Sequence, residues 1–211
     1  MDAKVAVKVG EYDRGGKTRV PTEALEDDFA AVAALTPYGI FGPEFNELSW
    51  FFISSKLTAD CIVDMLECWW QGVKDRFSHI QTLVINQDNG PENHSHRTQF
   101  MKRIVEFATQ SQLNIQLAYY PPYHSKYNPV ERTFGWLERH WNGSLLDSIQ
   151  TVLHFAETLT FKGKHPTVTL IDKVYQTGVT LTKQAMAEVE KQIQRLPNLK
   201  KWFVEISGKS A

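Results

Sequence analysis

Cysteine is scarce in this 211-residue chain, with only Cys61 and Cys68 present. They lie seven positions apart in an apolar-periodic stretch, which fits buried thiols in a reducing compartment better than a disulfide or a CxxC zinc site. No run of eighteen apolar residues occurs, and the opening Met1-Asp2-Ala3-Lys4 has the character of neither a signal nor a transit peptide. Membrane roles therefore drop out, and a cytoplasmic location is expected. An excess of charge is missing as well: 23 Lys and Arg stand against 24 Asp and Glu, a formal net charge of -1. No global positive field announces a nucleic-acid partner, so any such contact must come from local patches. Internal repeats and low-complexity tracts are absent too. What is present is 42% hydrophobic and 12% aromatic residues, enough to bury a full core in one globular domain with a terminal appendage.

Hydrophobic periodicity predicts an α/β order. Val5, Val7 and Val9 alternate with Lys4, Ala6 and Lys8 as in a half-buried strand over Ala3 to Gly10. The stretch from Glu11 to Arg19 is a Gly-centred turn, with a second extended piece expected within Lys17 to Val20 and a loop over 21–37. Gly39 to Phe41 and Glu47 to Ser54 read as a hairpin, giving three early strands. Thr58 is placed to cap a helix over 59–76, Ile80 to Ile85 suits a central strand covered on both faces, and a second helix is expected over 96–110. Leu113 to Tyr119 alternates as a fifth strand halted by Pro121-Pro122. Asn128 and Pro129 then open a third helix that Asn142-Gly143 ends. The core is expected over 1–143, with a mainly helical extension over 144–211 packed on it.

Three carboxylates fall at element edges: Asp2 at the start of the first strand, Asp88 just past the fourth, and Glu131 in the first turn of the third helix. Acids so placed can converge on a pair of divalent ions roughly 4 Å apart, an arrangement suited to in-line phosphoryl chemistry. Hard cations such as Mg²⁺ take carboxylate oxygens. Each acid also has a structural reading. Glu131, three residues after Asn128, fits a capping box; Asp88-Asn89-Gly90 is a common turn; Asp2 fits an exposed terminal acid. Composition and spacing leave these alternatives open.

Two longer stretches carry a resemblance. Gln87-Asp88-Asn89-Gly90-Pro91-Glu92-Asn93, followed by Tyr119-Tyr120-Pro121-Pro122-Tyr123-His124-Ser125-Lys126-Tyr127-Asn128-Pro129-Val130-Glu131, resembles the second and third acidic motifs of insertion-sequence DDE transposases, relatives of mariner-like transposases and retroviral integrases. The 43 positions between Asp88 and Glu131 resemble the spacing in such families. Asp2-Ala3-Lys4 through Arg14-Gly15-Gly16-Lys17 resembles the first catalytic strand and hairpin of one bacterial branch. The resemblance implies an RNase H-like fold, a mixed five-stranded sheet flanked by helices, with Asp2, Asp88 and Glu131 holding two Mg²⁺ or Mn²⁺ ions. It also implies nicking at transposon ends and transfer of a 3′ hydroxyl into target DNA. Such transposases carry helix-turn-helix modules before the first catalytic strand, and nothing precedes Asp2 here but Met1, so a core lacking its DNA-binding modules is expected.

The remaining polar features are weighed the same way. Arg14 to Arg19 is not a P-loop, because Glu11 stands where the first glycine is required, but Arg14 and Lys17 suit DNA phosphates about as well as solvent. Lys126, His124 and Tyr123 precede Glu131 and suit a phosphate or a splayed base. His94, His96 and His124 lack zinc-site spacing and fit capping or DNA contact better. The six tryptophans read as core. The expected partners are DNA and a second copy in a homodimer that holds two ends, with no membrane and no small-molecule cofactor. The competing readings are a nuclease of the same fold, such as a ribonuclease H or junction resolvase, and a catalytically silent transposase remnant that only folds, binds DNA weakly or self-associates.

Overall fold

The structure, a computed structural model, describes residues 1–12, 31–121 and 127–208. It is mixed α/β, consistent with an RNase H-like fold. By contact clustering the chain forms two compact units, one of Asp2–Ser55 with Pro129–Val174 and one of Met1, Lys56–Asn128 and Tyr175–Ala211. The extended piece expected within Lys17 to Val20 lies outside the described residues. No described helix is long and apolar enough to cross a membrane.

The first unit holds β1 (Asp2–Ala3), β2 (Val7–Val9), β3 (Ala33–Gly42), β4 (Glu47–Ile53) and β7 (Thr167–Ile171). The sheet runs β1-β3-β4-β7, and β2 also pairs with β3. The chain pairs β3 with β4 as an antiparallel hairpin and brings β7 back parallel to β4, so the sheet is mixed. The strand expected over Ala3 to Gly10 is split. Asp2 and Ala3 face Gly39 and Tyr38, whereas Val7 and Lys8 face Leu35 and Ala34. Three residues, Lys4 to Ala6, therefore stand against two, Thr36 and Pro37. Lys4 donates its N–H to the Pro37 carbonyl at 2.8 Å, but Pro37 has no N–H to return, so the ladder bulges there. The bulge flips Val5 out of the face it was expected to share with Val7 and Val9, leaving it 85% exposed. The loop expected over 21–37 gives way to strand from Ala33, where pairing to β1 and β2 overrides the weak strand propensity of Ala-Ala.

On one face of this sheet lie α3 (Pro129–Trp141) and α4 (Ile149–Thr158). Leu35, Trp50 and Phe52 from the strands meet Val130, Phe134, Leu137 and Trp141 from α3 and Val152 and Ala156 from α4 in one buried cluster. Gly39 makes this packing close: a Cβ there would stand 2.5 Å from a Val130 methyl. Helix α3 ends as expected, with Gly143 at φ +76° accommodating the left-handed turn.

The second unit holds α1 (Ala59–Val73), β5 (Thr82–Gln87), α2 (Thr98–Ser111), β6 (Asn114–Tyr119), α5 (Lys183–Glu190), β8 (Ile193–Arg195) and β9 (Phe203–Ile206), with the strands in the order β5-β6-β9-β8. Thr58 caps α1 by accepting from the Cys61 N–H at 3.2 Å. Arg103 of α2 ties the helices together, meeting Asp64 at 2.9 Å and Glu67 at 3.1 Å on α1. Burial alone would lower its pKa, but the charges of Glu67, Asp64 and Asp60 outweigh it and raise it. Met1 groups with this unit, its N donating to the Asn86 carbonyl at 2.6 Å.

Three further expectations are corrected here. Strand β5 is not covered on both faces: it ends its sheet, Thr82 and Asn86 are exposed, and Val84 is 51% exposed. A short apolar run cannot distinguish those cases. Cys61 is buried as expected, but Cys68 is exposed, because α1 turns it away from the face that carries Ile62 and Leu66. The tail over 144–211 carries α4 and α5 and, beyond the helical expectation, β7, which pairs with β4, β9, which pairs with β6, and β8, which pairs with β9.

Replacing Gly39 by Ala should lower stability by about 1–3 kcal/mol through the clash with Val130. Urea midpoints for Gly39→Ala, Val130→Ala and the double variant check this: the pair should be less destabilised than the two singles added, and strict additivity would remove the steric account.

Candidate active site

Asp2 and Glu131 both belong to the first unit. Asp2 is paired across the ladder with Gly39, and directly opposed residues in a sheet project to the same face. The face in question is the one on which Val130 rests against Gly39, so the first turn of α3 lies over the Asp2 position and Glu131 follows Val130 directly. Asp2 is 6% exposed, and one of its carboxylate oxygens accepts the Ala3 N–H at 2.7 Å. The reading of Asp2 as an exposed terminal acid is thereby excluded. Glu131 is half-buried, and among the described residues its carboxylate accepts no hydrogen bond and meets no cation, so it does not close a capping box on Asn128.

Asp88 stands in the second unit, one residue past β5, and its surroundings are built locally. Asn93 is buried, and its Nδ2 donates to Asp88 Oδ1 at 3.1 Å, to Gln87 Oε1 at 3.2 Å and to the Asp88 carbonyl at 3.3 Å. Asn93 is in turn held by Tyr119, whose hydroxyl donates to the Asn93 carbonyl at 2.9 Å. Burial pushes the Tyr119 pKa well above that of an ordinary phenol, so the group stays protonated and a donor at neutral pH. Gly90 keeps the carboxylate open: a Cβ there would lie 2.9 Å from Asn93 Oδ1 and 3.2 Å from Asp88 Oδ2. Neither Asn93 nor Tyr119 was singled out by sequence reasoning. The available signal was an amide five residues after an Asp in a turn that leads to a helix instead of a returning strand.

The other candidates divide. Arg14, Lys17, Tyr123, His124 and Lys126 lie outside the described residues. His94 and His96 sit in the turn before α2, where His94 Nδ1 accepts the His96 N–H at 3.2 Å and His96 Nδ1 pairs with the Ser95 hydroxyl at 3.2 Å. Burial, His96 and Arg97 hold the His94 pKa below that of an ordinary imidazole, which preserves the neutral acceptor. Of the tryptophans, Trp50, Trp70 and Trp141 are core, but Trp136 is 45% exposed and carries the Arg139 guanidinium at 5.2 Å from its ring.

Taken singly, each acid offers the carboxylate oxygen that a hard divalent cation prefers; among the described residues the Glu131 oxygens have no partner, and Gly90 leaves space beside Asp88. Among the described residues no group of three His, Cys, Asp or Glu side chains stands close enough together to hold a metal ion.

A family model described as the Rhodopirellula transposase DDE domain matches residues 1–208. No curated protein and no solved structure matches the chain.

The His94 acceptor has a pH signature. Because its folded pKa lies below the ordinary 6.5, its contribution is present above that value and is lost as pH falls through the folded value. Amide exchange at His96 should therefore quicken, relative to the intrinsic rate, between neutral pH and about pH 5. A His94→Leu variant should show the fast rate at both ends, and equal protection of the native chain across that range would dismiss the hydrogen bond.

Proposed function

The chain belongs to the DDE transposase family, and from that premise we propose that it cuts and transfers DNA strands with Asp2, Asp88 and Glu131 holding two divalent ions, Mg²⁺ or Mn²⁺. The family implies DNA as substrate and a nuclease or transferase activity, generally with divalent metal. The observation that most supports assigning that chemistry to these residues is that Asp2 pairs with Gly39, against which Val130, the residue before Glu131, packs.

When bound, the ions supply activation of the attacking oxygen and charge neutralisation at the leaving one. The residues do the rest. Asp2 accepts the Ala3 N–H on one carboxylate oxygen, which helps fix its rotation. Asp88 is oriented by Asn93, which Tyr119 holds in place from β6. Glu131, without an internal partner among the described residues, orients the attacking water in the first cut and the 3′ hydroxyl in the transfer. Contacts to DNA phosphates and bases by Lys126, His124, Tyr123, Arg14 and Lys17 belong to the same proposal, as does a homodimer that brings two transposon ends together.

Mn²⁺ calorimetry and nicking of supercoiled plasmid test the assignment. Asp88→Asn and Glu131→Gln should each abolish binding heat and nicking while leaving the circular dichroism spectrum unchanged. Retained Mn²⁺-dependent nicking in either variant would move the site elsewhere, and absent Mn²⁺ binding in the parent chain would favour a silent remnant. Asn93→Leu, acting through Asp88, should weaken Mn²⁺ binding about 10–100-fold, a result that a purely structural Asn93 would not give if melting is unchanged.

A further inference from the structure

We infer that the tip of the β8–β9 hairpin, Leu196 to Trp202, is a DNA-binding element beside Asp88, with Lys200 and Lys201 on backbone phosphates and Leu196 and Leu199 against the bases of a bent duplex. That this DNA is the one processed at Asp88 rests on the transferase reading, but the tip is argued independently, from residues of one unit.

The chain turns twice between β8 and β9. Pro197 and Asn198 are the central residues of a β-turn, Asn198 at φ +68°, so that the Leu199 N–H reaches the Leu196 carbonyl at 3.0 Å. A second turn brings the Trp202 and Phe203 N–H groups to the Leu199 carbonyl at 2.8 and 2.9 Å. Neighbouring residues then hold the tip by its backbone. Arg195 donates to the Lys200 carbonyl at 3.3 Å, the buried Ser95 donates its hydroxyl to the Lys201 carbonyl at 3.1 Å, and the Tyr119 N–H donates to the Trp202 carbonyl at 2.9 Å. Ser95 lies two residues past Asn93, the residue that orients Asp88. The tip is thus fixed to the turn that positions the Asp88 carboxylate, and it is fixed through carbonyls, which leaves the two lysine side chains out of these ties.

The chemistry of the tip identifies its partner. Lys200 and Lys201 are exposed, and among the described residues neither ammonium makes a hydrogen bond or an ion pair. The arginines nearby are already matched, Arg195 by Glu190 at 2.8 Å and Arg97 by Glu92 at 3.2 Å, so the lysines are surplus charge in a chain of net charge -1. The sequence that follows β6, 122–126, contains no acid. Surplus positive charge also marks His96, whose pKa is held below that of an ordinary imidazole by burial and then by Arg195 and Lys201, against Glu190. Beside the lysines, Leu196 and Leu199 are each 44% exposed at the two ends of the first turn. Two leucines are too small a patch for a stable protein interface, and lysine is depleted from such interfaces. Duplex DNA suits both features: phosphates take the lysines, and leucines wedge between base steps and kink the duplex. A wedge must resist being pushed back, and the carbonyl ties of the tip supply that resistance.

The test is anisotropy of a short labelled DNA duplex against the full chain over a range of salt, for Lys200→Gln, Lys201→Gln and a double variant, Leu196→Ser with Leu199→Ser. Melting, Mn²⁺ calorimetry, light scattering and energy transfer between dyes on the two duplex ends accompany it. Each lysine variant should reduce the salt slope by about one, with melting and Mn²⁺ binding unchanged. The leucine variant should keep the slope, weaken binding about tenfold and lose the rise in energy transfer that marks a bend. Parental affinity and slope in both lysine variants, or no DNA binding by the parent chain, overturns the proposal. So does a leucine variant that bends DNA as the parent does, or one whose only change is lost self-association. The lysine changes lie on the surface and keep the test valid should the leucine variant fail to fold. If the variants behave as expected but the parent never nicks DNA, the tip stands and the transferase reading falls. Nicking by the parent with unaltered DNA binding in all variants gives the reverse.

Discussion

The approach of a Val130 methyl to the backbone of Gly39 is the constraint on which the first unit depends. Any side chain at position 39 would lift the first turn of α3 from the sheet. That turn carries Glu131, and the strand position opposite Gly39 carries Asp2. The same contact also opens the apolar layer of Leu35, Trp50, Phe52, Phe134, Leu137 and Trp141, whose burial holds α3 down along its length. Core packing and the placement of two acids are thus a single geometric event.

The second unit fixes its acid by polar means. Asn93 spreads one amide group over Gln87 and Asp88, and Tyr119 secures Asn93 from the neighbouring strand. The parallel register that sets Gln87 opposite Tyr119 brings the two ends of this network together. A buried network of this kind is costly when incomplete, because each unpaired group loses its hydration without compensation. Orientation of Asp88 therefore depends on strand pairing as much as on the turn in which it sits.

Much of the fold was legible from the chain. The three long helices show apolar residues at helical spacing, Thr58 and Gly143 mark helix ends, and Leu113 to Tyr119 alternates with period two, since these signals arise within a few residues of one another. The strands of the tail were not legible, because Thr167 to Ile171 and Phe203 to Ile206 become strands by pairing with β4 and β6, far away in sequence. The bulge at Lys4 to Ala6 was hidden for a related reason: it is dictated by the missing N–H of Pro37 on another strand.

By itself the sequence determined the three candidate acids, their element edges and the motif strings from Asp88 to Asn93 and Tyr119 to Glu131, because carboxylate chemistry and turn signals are local properties. Only the tertiary structure bore on the bland readings of two of those acids. Burial at the Gly39 pair removed Asp2 from the terminal surface, and the absence of a partner among the described residues removed Glu131 from a capping box. It also separated two glycines that look alike in sequence. Gly39 is required by a neighbour and, among the described residues, Gly135 is not, and what each Cβ would meet depends on elements that folding brings together from distant parts of the chain.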